Sequence, residues 1–534
     1  MSLPETGRLS RPSIAIRADA SEEMGTGHVM RCLTLAGELK RRGAEVTFIC
    51  RDILPMLRQR ITQAGHALRM LPPAAADEPP NDGPPHAHWL KAHWRTDAEH
   101  TQAVLRELGG VDWLVVDHYA LDTRWERQMR PQAARIMVID DLADRAHDCD
   151  ILLDQTPGRQ AADYHGLVPD ACRLLMGAQY ALLRPEFAKL RPSAIRRRQQ
   201  QRRVERLLVN FGGSAPEELS RKVLRAIAEA APADIIVDFA TGTTDLRAAG
   251  LEALAEEMPQ QVNFHGFDAN MAQLMHDADL AIGAGGVSAL ERACMGLPSI
   301  LLSLAENQQD NARRLQERNA AFVCPVPDAK SLGALLDRLF QQAETWQTMQ
   351  KGCAAQTDGL GAALAAVAML PETSRTGASI TLRPMTLEDA DTIFRWQHQP
   401  GMRRYFRNPE PPTRTEHDAW MNRILADPGE LAWIILQDDT PAGLLRLSKR
   451  NDGTWEIDIL VDQAHRQHGI AKSAIRLMQS LAAGRKLLAV VHEENHPSCK
   501  LFLACGFMED PATEMDGSFR HFLLNSNPPR RPLS

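Results

Sequence analysis

Short apolar, β-branched runs ending in Gly or Asp recur through the first 300 residues, with helical segments between them. "SIAIRAD", "EVTFIC", "DWLVVDHY", "RIMVIDD" and "DILLDQ" form one set; "RLLVNFGG", "DIIVDFATG", "DLAIGAGG" and "PSILLSL" form a second. Continuous apolar runs of strand length suit strands buried on both faces, and alternating them with amphipathic helices builds parallel sheets. The pattern predicts two βαβ lobes, with ligands collecting where loops leave the carboxyl ends of strands. Past "PETSRTGAS" (371–379) the order changes to strand, helix, three consecutive strands ("LAWIILQD", "AGLLRLSKR", "TWEIDILV"), helix, strand and helix, which is α+β. The expected organisation is an N-terminal α/β lobe over 1–190, a basic connector over 191–206, a second α/β lobe over 207–370, a linker over 371–378, an α+β domain over 379–525 and a tail over 526–534.

Two segments interrupt the pattern. "RPSAIRRRQQQRRVER" (191–206) lacks apolar periodicity and reads as a solvated helix or connector rather than a nucleic-acid contact. "LPPAAADEPPNDGPPHAHW" (71–89) reads as an exposed loop, and His86, His88 and His93 near it lack the carboxylate or cysteine neighbours a metal site would use. Composition narrows the class further. A length of 534 residues predicts about three domains, and 44% hydrophobic with 24% charged residues is an ordinary globular balance. The net charge of −7, from 61 Lys+Arg against 68 Asp+Glu, argues against a nucleic-acid partner. No apolar run approaches the roughly 18 residues of a membrane span, and the N-terminus lacks the apolar core of a secretory signal, so a cytoplasmic protein with no membrane partner is expected. Nine scattered cysteines without a CxxC pair read as reduced thiols. Nothing in the pattern speaks to oligomeric state.

The first chemistry stands after the opening strand, where Gly25-Thr26-Gly27-His28 leads into a helix with apolar residues at Val29, Cys32, Leu33, Leu35, Ala36 and Leu39. A histidine at a helix N-terminus tends to stay neutral and available as a base, and glycines let a ligand approach the backbone. Downstream, Gly283-Ala284-Gly285-Gly286 ends a strand and opens a helix carrying Ser288 and Glu291. Backbone N–H groups there suit a diphosphate, and the carboxylate suits ribose hydroxyls.

Together these blocks resemble the GT-B superfamily, which implies two Rossmann-like lobes in a GT-B arrangement with a UDP-sugar in the cleft between them. Gly27 of the GxGH turn, and Gly213 and Ser214 of "FGGS", fit that architecture. Within it, "RADAS…GTGHVMRCLTLA", "VDHYALD", "VIDDLADRAHDCDILLDQ", "DYHGLVPDACRLLMGAQYALLRPEF", "FGGS" and "ENQQDNA" resemble, in order, the UDP-sugar hydrolases of pseudaminic acid biosynthesis over residues of about 13 to 365. The resemblance implies attack of water at the anomeric carbon with inversion, UDP leaving, His28 as base and no metal. It also implies that Tyr119 and Asn307 lie beside the sugar, with Arg17 and Asp19 near His28. A glycosyltransferase that uses a UDP-sugar, joined to an acyl domain that is regulatory or acts on another amine, is the competing reading.

In the α+β domain, Arg466-Gln467-His468-Gly469-Ile470-Ala471 lies between a strand and an amphipathic helix. Such a turn makes a nest of N–H groups for a pyrophosphate. With "HEENHPSCKLFLACGF" following at the right distance, it resembles motifs A and B of the GNAT acetyltransferases. The resemblance implies acetyl-CoA as acyl donor, held by Leu460 and Val461 at the strand end, by Arg466, Gly469 and Ala471 in the turn, and by Asn495. "LRPMTLEDADTIFRWQHQPGMRRYF" further resembles the N-acetyltransferases that act on a UDP-4-amino sugar one step before the hydrolase. Attack by an amine needs a proton acceptor, and Glu456 and Asp458, on one face of a predicted strand, are the candidates, Glu456 first. Phe502 stands where many GNAT enzymes carry a proton-donating tyrosine.

Overall fold

The computed structural model describes residues 11–21, 23–75, 78, 82–211, 217–240, 250–266, 269–302, 308–325, 328–510 and 518–525. The chain divides into two compact units, residues 1–365 and 366–534. No helix of the described residues is long and apolar enough to cross a membrane.

The first unit holds both predicted parallel sheets. In the first lobe, β1 (Ser13–Ala18), β2 (Glu45–Cys50), β3 (Ala67–Met70), β4 (Val111–Asp117), β5 (Ala133–Ile139), β6 (Ile151–Asp154) and β7 (Arg173–Met176) run parallel in the order β3-β2-β1-β4-β5-β6-β7. In the second, β8 (Arg206–Asn210), β9 (Ile236–Ala240), β10 (Gln261–His265), β11 (Leu280–Ala284), β12 (Ser299–Leu302) and β13 (Ala321–Cys324) repeat the scheme as β10-β9-β8-β11-β12-β13. This is the Rossmann-like order, used twice. Each sheet changes direction between its first and fourth strands, and a doubly wound sheet opens its ligand crevice at that switch point. The β1 and β4 ends carry the GxGH turn and Asp117; the β11 end carries the Gly-rich turn. Helix Gly27–Arg41 buries Val29, Cys32, Leu35, Ala36 and Leu39 on one stripe and ends in Lys40 and Arg41, which suit the negative end of the helix dipole.

The connector departs from expectation. Residues Pro185–Gln200 form a helix in which Arg191 and Arg198 are buried, while Arg196 is exposed as expected. Arg198 donates to the carbonyls of Ala278 at 3.0 Å, Met295 at 2.6 Å and Met275, while Arg191 donates to those of Cys294 at 3.1 Å and Ala354 at 2.8 Å. These are carbonyls that helix ends leave without partners, so the guanidiniums cap the second lobe from within the chain. A charge run without apolar periodicity can thus be a buried capping device.

The second unit is one eight-stranded sheet. Its strands β14 (Glu372–Thr373), β15 (Ser379–Pro384), β16 (Glu430–Gln437), β17 (Thr440–Lys449), β18 (Trp455–Val461), β19 (Leu487–His492), β20 (Met508–Glu509) and β21 (Phe519–Leu524) lie in the order β14-β15-β16-β17-β18-β19-β21-β20. All neighbours are antiparallel except β18 and β19. The segment expected as a linker is part of this sheet: β14 pairs with β15, and the Ser473 hydroxyl donates to the Thr373 carbonyl at 3.2 Å.

Candidate functional site

His28 is the second residue of helix Gly27–Arg41, which places its ring over the end of β4. Its Nδ1 lies 2.6 Å from Asp117 Oδ1. Burial alone would raise the Asp117 carboxyl, yet Arg31 and His28 hold it well below the usual range. An ionised Asp117 accepts the Nδ1 proton, so Nε2 is left as the basic nitrogen. Arg31, one turn further on the same helix face, donates from Nε to Asp117 Oδ2 at 2.7 Å and from Nη1 to Asp141 Oδ2 at 2.8 Å. Tyr119 completes the group: its hydroxyl donates to Asp141 and its ring meets His28 edge-on with centroids 4.6 Å apart. Burial, with Asp141 beside it, pushes the Tyr119 hydroxyl well above its ordinary value, so it stays a neutral donor.

Arg17 and Asp19 do not join this group. Both are fully buried, and Arg17 clamps Asp19 at 2.6 Å and Asp97 at 2.7 Å. Arg51 reaches Asp97 at 3.0 Å, and His118 stands 3.4 Å from Asp19. Burial opposes ionisation of Asp19, but Arg17 and His118 keep its carboxyl below the usual range. Paired interior charges such as these fix the turn after β1, and Arg17, Asp19 and Asp97 are sealed from solvent. Gly25 and Gly27 border open space, since a Cβ on either would meet nothing within 4 Å. Gly25 also has φ +76°, a conformation that favours glycine.

In the second lobe, Gly286 caps helix Val287–Cys294. Gly285 is closely approached, because a Cβ there would come within 3.1 Å of the Gln308 carbonyl and 3.3 Å of Ala312 Cβ. Ser288 accepts from Arg292 at 3.3 Å. Glu291 lies 3.5 Å from Arg184, and burial raises its carboxyl against the pull of Arg184 and Arg292. Gln308 and Asn311, not anticipated from sequence, also face this turn; Asn311 donates to the Gly285 carbonyl, and the side-chain carbonyls of both are buried without a partner among the described residues. Gly213, Ser214 and Asn307 lie outside the described residues.

The second unit's site forms where two strands part. β18 and β19 pair over Trp455↔Leu487, Glu456↔Leu488 and Ile457↔Ala489, and the register stops there. Leu460 and Val461 therefore sit on a strand end without a β19 partner. Below it, Gln467 (φ +64°) and Gly469 (φ +86°) turn the chain into helix Ile470–Leu481, whose second residue is Ala471. Alternating backbone hand before a helix N-terminus makes a nest of N–H groups of the kind that receives a diphosphate. Arg466 donates to the Val461 carbonyl at 3.2 Å and braces the turn. Asn495 caps helix His496–Ala504 through Ser498 N at 3.3 Å, and Phe502 is buried against Phe507. Glu456 is held on both sides, by Arg407 at 3.0 Å and Arg450 at 2.7 Å, while Asp458 is half exposed and paired with Arg446.

Residues 379–508 match the acetyltransferase (GNAT) domain, and residues 207–363 match the glycosyltransferase family 28 C-terminal domain. The chain joins a family-28-type nucleotide-sugar domain to a GNAT domain. An uncharacterised protein of Methanocaldococcus jannaschii is 22% identical over 515 residues, spanning 92% of this chain and 96% of its own length. The spore coat polysaccharide biosynthesis protein SpsG of Bacillus subtilis is 25% identical over 358 residues, 65% of this chain and 95% of its own. The UDP-2,4-diacetamido-2,4,6-trideoxy-beta-L-altropyranose hydrolase of Campylobacter jejuni is 23% identical over 306 residues, 57% of this chain and 96% of its own. The GNAT domain's parted strands and the family-28-type domain's Gly-rich turn thus stand in one polypeptide.

Proposed function

We propose that the chain is a bifunctional enzyme of pseudaminic acid biosynthesis. The first unit hydrolyses UDP-2,4-diacetamido-2,4,6-trideoxy-β-L-altrose to UDP and the free sugar with inversion at C1, and the GNAT domain N-acetylates the preceding UDP-4-amino sugar. The observation that carries the first activity is the His28–Asp117 pair at the switch point of the first sheet. In this scheme Nε2 takes a proton from water as its oxygen bonds to C1 and the C1–O bond to UDP breaks, and Asp117 compensates the charge that appears on the ring. Such a base contributes roughly 10² to 10⁴-fold. The growing diphosphate charge is received by the N–H groups of the Gly286 turn, and no metal takes part. Single displacement from the face opposite UDP gives inversion. The similarity to the Campylobacter hydrolase, which spans 96% of that protein, supports water as acceptor.

In the GNAT domain, bound acetyl-CoA supplies the acetyl group. The turn from Arg466 to Ala471 holds its diphosphate, and Glu456, once the amine displaces Arg407 from Oε1, takes the amine's proton as its nitrogen bonds to the acetyl carbon and the thioester C–S bond breaks, CoA leaving as the thiolate. Proton NMR of the diacetamido nucleotide sugar in water, without acceptor, tests the hydrolase. Wild-type protein is expected to release UDP and the inverted anomer, with His28→Ala slower by about 100-fold or more. Release of UDP only after an acceptor is added would replace hydrolysis by glycosyl transfer.

A further inference from the structure

The Pro-rich segment expected as a solvated loop ends in a structured turn beside His28. Ala87–Leu90 form a single 3₁₀ turn with His86 as its N-cap and Lys91 as its C-cap. Side chains three apart eclipse in such a turn, which gives it three separate faces. Ala87 and Leu90 form the first face and are buried in the lobe. His88 and Lys91 form the second; their side-chain nitrogens lie 3.1 and 3.0 Å from the carboxylate of Glu23, in the turn that leads into Gly25 and His28. The third face is His86 and Trp89, half-buried with rings 4.6 Å apart, and it adjoins Tyr119: its centroid is 5.5 Å from that of His86 and 5.8 Å from that of Trp89. Tyr119 in turn meets His28 at 4.6 Å.

Two faces of the turn are thus spent on anchoring it, one to the core and one to the catalytic loop. The third packs on the buried ring of Tyr119 and carries an aromatic cluster from the candidate base out to the half-buried rings of His86 and Trp89. Half-buried aromatic rings offer a flat apolar contact with a polar edge. We infer that His86 and Trp89, with Tyr119, form the wall of the sugar subsite in the first lobe, receiving the apolar groups of a deoxy, acetamido-bearing pyranose while its anomeric carbon faces His28. The inference rests on the nucleotide-sugar reading of the first unit and adds to it the residues that read the sugar. Uridine and diphosphate belong to the second lobe's turn, so the wall contributes to binding of the nucleotide sugar and not of UDP.

Titration calorimetry on His28→Ala protein, which leaves the ligand intact, separates these terms. The ligands are UDP and UDP-2,4-diacetamido-2,4,6-trideoxy-altrose. Trp89→Ala is expected to weaken the nucleotide sugar by about tenfold with UDP unchanged, and Trp89→Phe to restore most of the loss. Nucleotide-sugar affinity within about twofold of the parent overturns the wall, as does an equal loss for both ligands, which would mark a disturbed fold. A parent that binds the two ligands equally also overturns it, because no sugar subsite then contributes. Hydrolysis by wild-type protein is scored separately: a Trp89 effect on affinity without hydrolysis in water keeps the wall and changes the reaction.

Discussion

The two candidate bases of this chain are built in opposite ways. His28 is backed by one carboxylate, and that contact fixes its tautomer while leaving the other ring nitrogen basic. Glu456 has a guanidinium on each oxygen, Arg407 on one and Arg450 on the other. The first arrangement is ready before substrate arrives; the second has to be opened by it. Burial follows the same division. Asp117 and Arg31 lie in the interior of a lobe, whereas Arg407 and Arg450 are exposed. A preorganised charge network in a low-dielectric interior costs no rearrangement at the moment of reaction. An exposed ion pair is weak and is exchanged cheaply. The candidate site of the first unit should therefore be sensitive to the loss of a residue that never touches substrate, and that of the GNAT domain much less so.

Asp117→Asn tests this with the largest expected effect. The amide can donate to Nδ1 and place the ring proton on Nε2, which removes the base without removing the histidine. Hydrolysis should fall by about 10²-fold or more in kcat with little change in KM. UDP affinity, proposed to rest on the second lobe, reports that the variant is folded. A variant that keeps most of its kcat would reduce Asp117 to a buried partner for Arg31, and the contrast between the two bases would disappear.

The buried charges of the first unit also predict a pH response. Tyr164 stands 2.8 Å from both Asp140 and Asp154, yet its hydroxyl has a single proton to give. Burial pushes Asp154 up to about 6 in spite of Arg159, with Asp141 adding to the rise. Asp140 moves the other way, held below the usual carboxylate range against burial by Arg145 and His147. A folded value above the unfolded one means that the folded state binds the proton more tightly. Asp154 thus stabilises the fold below its unfolded value near 4, and this contribution, about 3 kcal/mol, is lost as the pH rises through about 6. Asp154→Asn has no such proton to lose. Urea unfolding should show the stability difference between variant and wild type moving by about 3 kcal/mol in favour of the variant from about pH 4 to 7.5. A difference that does not change with pH would mean that Asp154 stays ionised throughout.

What the sequence discloses follows from how local each feature is. Strands buried on both faces are continuous apolar runs, so both lobes and the polar ends of their strands were legible, as was the change to α+β after residue 371, whereas the strand order that makes the switch points comes from the fold. The GxGH turn was legible as well, because a helix start is a local signal. Asp117 was visible in "VVDHY" as the last residue of a strand, but its pairing with His28, 89 positions away, is a product of topology. Arg17 and Asp19 look polar and accessible in sequence, and only the fold shows them sealed against Asp97 and Arg51. Arg191 and Arg198 of the connector read as solvated because the carbonyls they cap belong to helices some 80 to 160 residues further on. The turn over residues 87–90 is too short for periodicity to register, and its proline-rich approach hides it.

The smallest expected effect sharpens the comparison from the GNAT side. If Glu456 takes the amine's proton only after Arg407 is displaced, its gain as a base is offset by the cost of opening an ion pair. Glu456→Gln should then slow acetyl transfer by about tenfold, below the usual range for a general base, and the deficit should shrink as pH rises and more amine is already unprotonated. Arg407→Ala separates the two roles of the carboxylate. Removing the guanidinium frees Oε1, so the rate should hold or rise if Glu456 is a base, and fall together with thermal stability if Glu456 only ties the loop bearing Arg407 to β18. Steady-state acetylation of a UDP-4-amino sugar, read as CoA release across pH with both variants, decides between them. A Glu456→Gln rate equal to wild type at every pH would move the proton to solvent and leave Glu456 as a tie for Arg407 and Arg450.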